Sequence, residues 1–98
     1  MRLYDVIWKD KFVEKMADKH GVSTDEVEDV LFSNPHVRVA EKGRLKDENL
    51  YVAYGRTTTG RYLVVFFICK RRTSALPISD RDMTQSEWRY YNEQKEAR

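Results

Sequence analysis

The segment from Tyr62 to Cys69 constrains the fold most, because its side chains are apolar on both faces of an extended chain. A short run of this kind predicts a strand in the centre of a sheet. Its uninterrupted apolar part, Leu63 to Cys69, is far shorter than the roughly 20 residues that a membrane-spanning helix needs. The first residues, Met1 to Asp5, lack the apolar stretch of a signal peptide. We therefore expect a cytoplasmic protein without a membrane partner.

The segment before this central strand has the two-residue period of a half-buried strand. It runs from Asn49 to Thr57, and we expect its alternate side chains to face opposite sides of the sheet. One side would carry Leu50, Val52 and Tyr54, and the other Tyr51 and Ala53. Thr57 to Gly60 then forms a hairpin loop, in which Gly60 is able to adopt a positive φ.

Three more segments have strand character: Leu3 to Trp8, Val37 to Ala40 and Ser74 to Ser79. Arg71 and Arg72 form the turn that precedes the last of them. Pro77 cannot donate a ladder hydrogen bond, so we expect an edge position or a bulge there. Between the second and third strands, residues 41–48 form a polar, charged loop.

Helix start signals occur at three places. Asp10 is a candidate cap for a first helix, which has an apolar face and ends at Gly21. The next two starts each combine a capping box with a hydrophobic staple. The boxes are Ser23 with Glu26 and Thr84 with Glu87, and the staples are Val22 with Val27 and Met83 with Trp88. Asn34-Pro35 stops the second helix. In the third, Trp88 and Tyr91 are expected to face the core, and residues 93–98 to fray.

The predicted order is strand, two helices, four strands and one helix. We interpret residues 1–98 as a single α+β domain, in which the helices pack on one face of an antiparallel sheet. The composition, 41% hydrophobic and 35% charged, excludes a disordered chain and a membrane protein. Cys69 is expected to be an inert core thiol in a reducing compartment. No zinc-binding spacing of cysteine and histidine is present, so we expect no metal and no cofactor.

Charge is unevenly distributed along the chain. Residues 1–48 hold 9 Lys or Arg and 11 Asp or Glu, whereas residues 49–98 hold 9 and 5. A basic second half could attract a phosphate backbone or an acidic protein partner. On charge alone, an ordinary solvated surface is the better explanation of an imbalance of this size.

Three segments, in order, carry a more specific pattern. They are KHGVS at residues 19–23 with Asn34-Pro35, YVAYGRT at 51–57 followed by GRYLVV at 60–65, and ISDRDMT at 78–84 with Glu87 and Tyr91. Together they resemble the BrnT family of toxins over roughly residues 6–93. The chain differs at Asp80, where the family usually has a small residue, and at Trp88, where a basic residue is common, although Arg89 follows.

The resemblance implies a RelE-like fold and a small cytoplasmic endoribonuclease that inhibits translation. It implies a cognate antitoxin that neutralises the toxin in a hetero-oligomer, which contacts promoter DNA only as that complex. The RNA substrate is expected to be mRNA. In the family, the arginine that matches Arg81 belongs to the closing signature.

Metal-free RNA cleavage needs a base for the 2′-hydroxyl, donors for the charged phosphorane and an acid for the leaving 5′-oxygen. Arg81 is the first candidate for the phosphate clamp, because its planar fork pairs two phosphate oxygens. A structural ion pair with Asp80, Asp82 or Glu87 is the alternative. Glu87 is a candidate general base, although its capping role explains it fully. His20 is a third catalytic candidate, and helix capping accounts for it as well.

Arginines and tyrosines supply the candidate RNA contacts, because guanidinium groups bind phosphate and tyrosine rings stack on unpaired bases. These candidates are Arg56, Arg61, Arg89, Tyr51 and Tyr90. Tyr54 and Tyr91 are expected in the core, and His36 is expected to be a surface residue. A second hypothesis keeps the same fold without nuclease activity, as a binding module in a regulatory protein–DNA complex.

Overall fold

The computed structural model of the chain describes residues 2–43 and 49–96. The predicted charged loop at 41–48 therefore lies mostly outside the described residues. The elements, in chain order, are β1 (Asp5–Val6), α1 (Asp10–His20), α2 (Thr24–Phe32), β2 (His36–Glu41), β3 (Leu50–Arg56), β4 (Tyr62–Lys70), β5 (Ser74–Asp82) and α3 (Gln85–Glu96). The predicted α+β class is confirmed.

The strands form one sheet in the order β1-β5-β4-β3-β2. The long apolar strand β4 lies in its centre, as predicted. Strands β2 to β5 are antiparallel neighbours, but β1 runs parallel to β5, with Asp5 opposite Ser74. The prediction of a purely antiparallel sheet is wrong, because β1 adds to the outer side of β5 rather than continuing the meander.

Helices cover both faces of the sheet, so the prediction that all of them pack on one face is also wrong. Helices α1 and α2 bury their apolar sides against Ala53, Leu63, Val65 and Phe67 of β3 and β4. We call this side of the sheet the α1–α2 face. The opposite side, the α3 face, holds a smaller cluster of Val52, Tyr54 and Val64, against which Met83 and two tyrosines of α3 pack. The apolar residues on both sides of β4 explain why a second layer is favourable.

Strand β5 contains a bulge at Pro77. Phe66 pairs with Ser79 and Phe67 pairs with Pro77, so Ile78 is an extra residue on β5. The predicted bulge is thereby confirmed. Beyond it, β5 continues to Asp82, and Arg81 lies within the strand opposite Val64.

Most of the predicted turns and helix ends are present. Gly21 and Gly60 have φ values of 59° and 95°, and Arg71 and Arg72 form a turn with φ values of 53° and 69°. Ser23 and Glu26 bind each other's backbone N–H groups at 3.1 and 3.0 Å. The prediction for Asp10 is wrong: Lys9 holds the N-cap position, without a side-chain cap.

The start of α3 is capped as predicted, with the Thr84 N–H donating to Glu87 Oε1 at 2.9 Å and the Glu87 N–H donating to Thr84 Oγ1 at 3.2 Å. The predicted core position of Trp88 is wrong, since this side chain is 44% exposed. Tyr90 and Tyr91 pack on the sheet instead. Helix α3 continues to Glu96, through much of the segment expected to fray.

Candidate functional site

Strand register aligns polar side chains in a row across the α3 face. His36 pairs with Tyr54, Tyr54 with Val64, and Val64 with Arg81, so one residue of each strand from β2 to β5 lies in this row. Arg38 lies two residues after His36 and therefore faces the same side. The row thus brings an imidazole, a phenol and two guanidinium groups to one surface.

Helix α3 adds a carboxylate and a second phenol to this surface. Two N–H groups of Arg81 donate to the two carboxylate oxygens of Glu87, at 2.5 and 2.9 Å. One turn further along α3, the hydroxyl of Tyr90 is hydrogen-bonded to His36 Nε2 at 2.8 Å. We call the six residues the α3-face cluster: His36, Arg38, Tyr54, Arg81, Glu87 and Tyr90.

Arg38 is the most accessible cation of the cluster. Its Nε and Nη2 groups donate to the buried hydroxyl of Tyr54 at 3.1 and 2.9 Å, while the residue itself is exposed. Its guanidinium carbon lies 5.7 Å from the ring centres of both Tyr54 and Tyr90. Within residues 2–43 and 49–96, none of the ion pairs involves Arg38. Its charge is held in place by aromatic rings, and no carboxylate of the described residues forms an ion pair with it.

Arg81 is held differently, because its charge is paired. Besides the two hydrogen bonds to Glu87, its guanidinium lies 5.7 Å from the centre of the Phe66 ring. Its side chain is 38% exposed, so one edge remains accessible from solvent. Of the ion-pair partners considered from the sequence, Glu87 is the one whose carboxylate pairs with Arg81, whereas Asp82 accepts a hydrogen bond from it only through the backbone carbonyl, at 3.3 Å.

The environment of Glu87 makes it a weak base. The hydrogen bonds from Arg81, followed by that from the Thr84 backbone, lower the pKa of Glu87 to about 2. A carboxylate with such a low pKa has little tendency to accept a proton at neutral pH. The geometry gives Glu87 two other tasks, which are to orient Arg81 and to cap α3.

His20 lies away from this cluster. It is the last residue of α1, which covers the α1–α2 face, and its backbone carbonyl accepts a hydrogen bond from Arg61 at 2.9 Å. Arg61 also donates to Asp82 at 2.8 and 3.2 Å and to the carbonyl of Gly21 at 3.0 Å. These contacts attach the end of α1 to the end of β5. The structure therefore separates His20 and Arg61 from Arg81 and Glu87.

The other four RNA-contact candidates lie at different places. Tyr51 is on the α1–α2 face, with its ring 5.6 Å from that of Phe67, while Tyr90 belongs to the α3-face cluster. Arg89 is exposed on α3. Arg56 lies at the end of β3, with its guanidinium 5.4 Å from the ring centre of Tyr62. The assignment of RNA contacts to these residues stays a prediction.

A polar pocket adjoins the cluster at His36. It has a volume of about 460 Å³ and opens between the end of α2, the β3–β4 loop and α3. Its lining consists of Ser33, Asn34, His36, Arg56, Thr57, Thr58, Tyr91 and Lys95. This volume is within the usual range for small-molecule sites.

Asp80 occupies the opposite side of β5 from Arg81. It pairs with Val65 and is 1% exposed on the α1–α2 face. Neither of its carboxylate oxygens has a hydrogen-bond partner among the described residues. Burial raises the pKa of Asp80 to about 6. The sequence-based alternative in which Asp80 pairs with Arg81 is therefore wrong, since adjacent residues of a strand face opposite sides.

Sequence reasoning missed two members of the cluster. Arg38 was not singled out, and His36 was expected to be a surface residue, although it is partly buried and bonded to Tyr90. Their spacing was the one usable signal, because residues two apart on a strand share a face. Tyr54 is buried as expected, yet its hydroxyl also contributes to the site.

No helix in the described part of the chain is long and apolar enough to cross a membrane. A comparison with curated proteins found no match. The family model described as "Ribonuclease toxin, BrnT, of type II toxin-antitoxin system" matches residues 8–87. This range includes every strand except β1 and ends at Glu87, so four members of the α3-face cluster besides Glu87 lie within it. The match covers most of the sequence, and the chain therefore belongs to the BrnT family of ribonuclease toxins of type II toxin–antitoxin systems.

Proposed function

We propose that the chain is a metal-independent endoribonuclease that cleaves mRNA at the α3-face cluster and thereby inhibits translation. The observation that carries this proposal is the convergence of His36, Arg38 and Arg81 on one accessible surface, where Arg38 lies beside the phenol rings of Tyr54 and Tyr90. This set supplies the two kinds of group that RNA cleavage needs, namely proton carriers and fixed cations.

In the proposed reaction, the 2′-hydroxyl of one nucleotide attacks the adjacent phosphorus and the bond to the 5′-oxygen of the next nucleotide breaks. The 2′-hydroxyl loses a proton and the leaving 5′-oxygen gains one. The products are a 2′,3′-cyclic phosphate and a 5′-hydroxyl. His36, whose ring is hydrogen-bonded to Tyr90, is our candidate for one proton transfer, since histidine is the side chain most often used for this task.

Arg38 and Arg81 have different roles in binding the phosphate. Arg38, which has no contacting carboxylate in the described residues, would bind a non-bridging oxygen directly. Arg81 would approach from the opposite side of Tyr54, held in orientation by Glu87. Because both guanidinium groups are already positioned, little reorganisation is needed as charge develops on the phosphorane.

The family assignment supports a partner as well as a substrate. We propose that a cognate antitoxin covers the α3 face in a cytoplasmic hetero-oligomer, and that promoter DNA is contacted only by that complex. A structural relationship to RelE-type toxins is part of the same proposal.

The test is cleavage of a fluorescent RNA by the purified chain in the presence of EDTA. We expect 2′,3′-cyclic phosphate and 5′-hydroxyl ends, and a decrease of 10²-fold or more in the rate for Arg38→Gln and for His36→Gln. Lys15→Gln, on the exposed side of α1, is the matched control and should retain the wild-type rate. An absence of cleavage by folded wild-type chain, or equal rates for all variants, would overturn the assignment.

One observation favours a second candidate, the non-catalytic binding module. Arg81 already has both oxygens of Glu87 as partners, so its charge is partly satisfied without RNA. In that case the folded chain would bind RNA or its antitoxin without producing fragments.

A further inference from the structure

The pocket beside His36 has a positively charged lining. Among the described residues, its lining includes two cations, Arg56 and Lys95, and no carboxylate. Hydroxyl and amide side chains of Ser33, Asn34 and two threonines supply further polar groups, and Tyr91 supplies an aromatic surface. This combination suits a phosphate attached to a planar base, because guanidinium groups pair with phosphate and aromatic rings stack on bases.

The wall of the pocket formed by the β3–β4 loop is fixed before any ligand binds. The N–H and hydroxyl of Thr58 both donate to Asp29 Oδ2 of α2, at 3.1 and 2.9 Å. The Thr57 side chain is buried and accepts a hydrogen bond from the Arg61 N–H at 3.0 Å. The bonds to Asp29 hold the loop against α2, and the bond between Arg61 and Thr57 fixes the shape of the loop itself, so binding would cost little ordering entropy.

The pocket and the α3-face cluster share one residue, His36. Tyr91 of the pocket directly follows Tyr90 of the cluster on α3. An RNA strand whose scissile phosphate lies at Arg38 would therefore extend toward the pocket.

We propose that this pocket is a nucleotide subsite that binds the nucleotide next to the scissile phosphate. Arg56 and Lys95 contact its phosphate, and Tyr91 contacts its base. The identity of the ligand as single-stranded RNA rests on the proposed function, whereas the pocket's affinity for a nucleotide rests on its lining alone.

The first test measures binding without cleavage. The probe is a fluorescent tetranucleotide of 2′-O-methyl RNA, which has no 2′-hydroxyl to attack the phosphorus. We expect the Kd of the double variant Arg56→Gln/Lys95→Gln to rise about tenfold, and the slope of log K against log salt to become shallower by about 0.7 for each lost phosphate contact. Lys15→Gln is again the control. Unchanged Kd and slope in the double variant would overturn the proposal.

The second test locates the ligand by amide NMR with uridine 3′-monophosphate. We expect shifts at Asn34 and Thr58, and their loss in the double variant; shifts confined to other parts of the chain would contradict the subsite. Both tests are independent of catalysis. If the chain binds but does not cleave, the endoribonuclease proposal fails and the subsite stands. If the chain cleaves RNA and the double variant binds the probe normally, the subsite proposal fails and the endoribonuclease proposal stands.

Discussion

The carboxylates of Asp80 and Glu87 have pKa values shifted in opposite directions, and their surroundings explain both shifts. Burial raises the pKa of Asp80 to about 6, whereas hydrogen bonds from Arg81 lower that of Glu87 to about 2. A folded-state pKa above the unfolded value means that the folded chain binds more protons between the two, so stability falls as pH rises through that interval. For Asp80 the interval runs from 3.8 to about 6.

We therefore predict that Asp80→Asn stabilises the protein above pH 6. Asparagine resembles the protonated acid, so the difference from wild type in free energy of unfolding should be small at pH 4 and grow to as much as about 3 kcal/mol at pH 7.5. Urea unfolding at several pH values measures this difference. A difference that is constant from pH 4 to pH 8 would show that Asp80 is not the titrating group.

At the scale of elements, α3 is attached to the sheet by few contacts. None of its residues is fully buried, and its start depends on the capping box of Thr84 and Glu87. Glu87 also forms the pair with Arg81, so a single side chain both begins the helix and connects it to β5. Tyr90 is hydrogen-bonded to His36 and not to Glu87. Its position in the cluster nevertheless depends on Glu87, because Glu87 holds the helix that carries it.

We predict that Glu87→Ala increases hydrogen exchange at the Tyr90 and Tyr91 amides while leaving α2 unaffected. Loss of a cap costs about 1 kcal/mol, and loss of the pair with Arg81 adds to it. Because the pKa of Glu87 is lowered, its contribution is present at neutral pH and disappears as pH falls from 4.5 toward 2. Ser23→Ala, which removes the equivalent cap of α2, is the control and should have the opposite distribution. Equal protection of α3 in both variants would contradict this role.

At the scale of the whole molecule, the two faces of the sheet differ in what they contribute. The α1–α2 face holds the larger buried cluster, whereas the α3 face combines the polar cluster with a smaller cluster of three buried residues, Val52, Tyr54 and Val64. Phe67 and Phe66 are adjacent on β4, and their side chains face opposite sides of the sheet. Phe67 is completely buried, whereas Phe66 is partly exposed beneath Arg81.

We predict that Phe67→Ala and Phe66→Ala have contrasting effects. Removal of the Phe67 ring should cost about 3–5 kcal/mol of unfolding free energy, a large part of the total stability of a small domain. Phe66→Ala should cost less stability but lower the RNA cleavage rate more than Phe67→Ala does in chains that remain folded. Thermal unfolding and the RNA assay together measure both quantities. Equal losses of stability would contradict the division between the faces.

How much of this could be predicted from sequence depends on the range of the interactions. The boxes at Ser23 and Thr84 are complete within four residues, and the alternation that separates Tyr54 from Tyr51 is complete within one strand. Both were therefore predictable. The alignment of His36 with Tyr54 depends on pairing between strands, and the choice of face for α3 depends on the whole sheet. No local pattern encodes either, so Arg38 was missed and the one-sided packing was wrong.

The bulge at Pro77 determines how the site responds to an in-frame deletion in the gene. With Ile78 as an extra residue, Arg81 faces the α3-face cluster and Asp80 faces the buried side. If Ile78 paired with Phe66 and no bulge formed, the two would exchange sides, because a shift of one position reverses every side chain of a strand. We expect an in-frame deletion of the Ile78 codon to leave both side chains where they are, because Ser79 would then follow Pro77 directly and Arg81 would still pair with Val64. A mutation of three nucleotides would thus remove the bulge without inverting the polarity of the site.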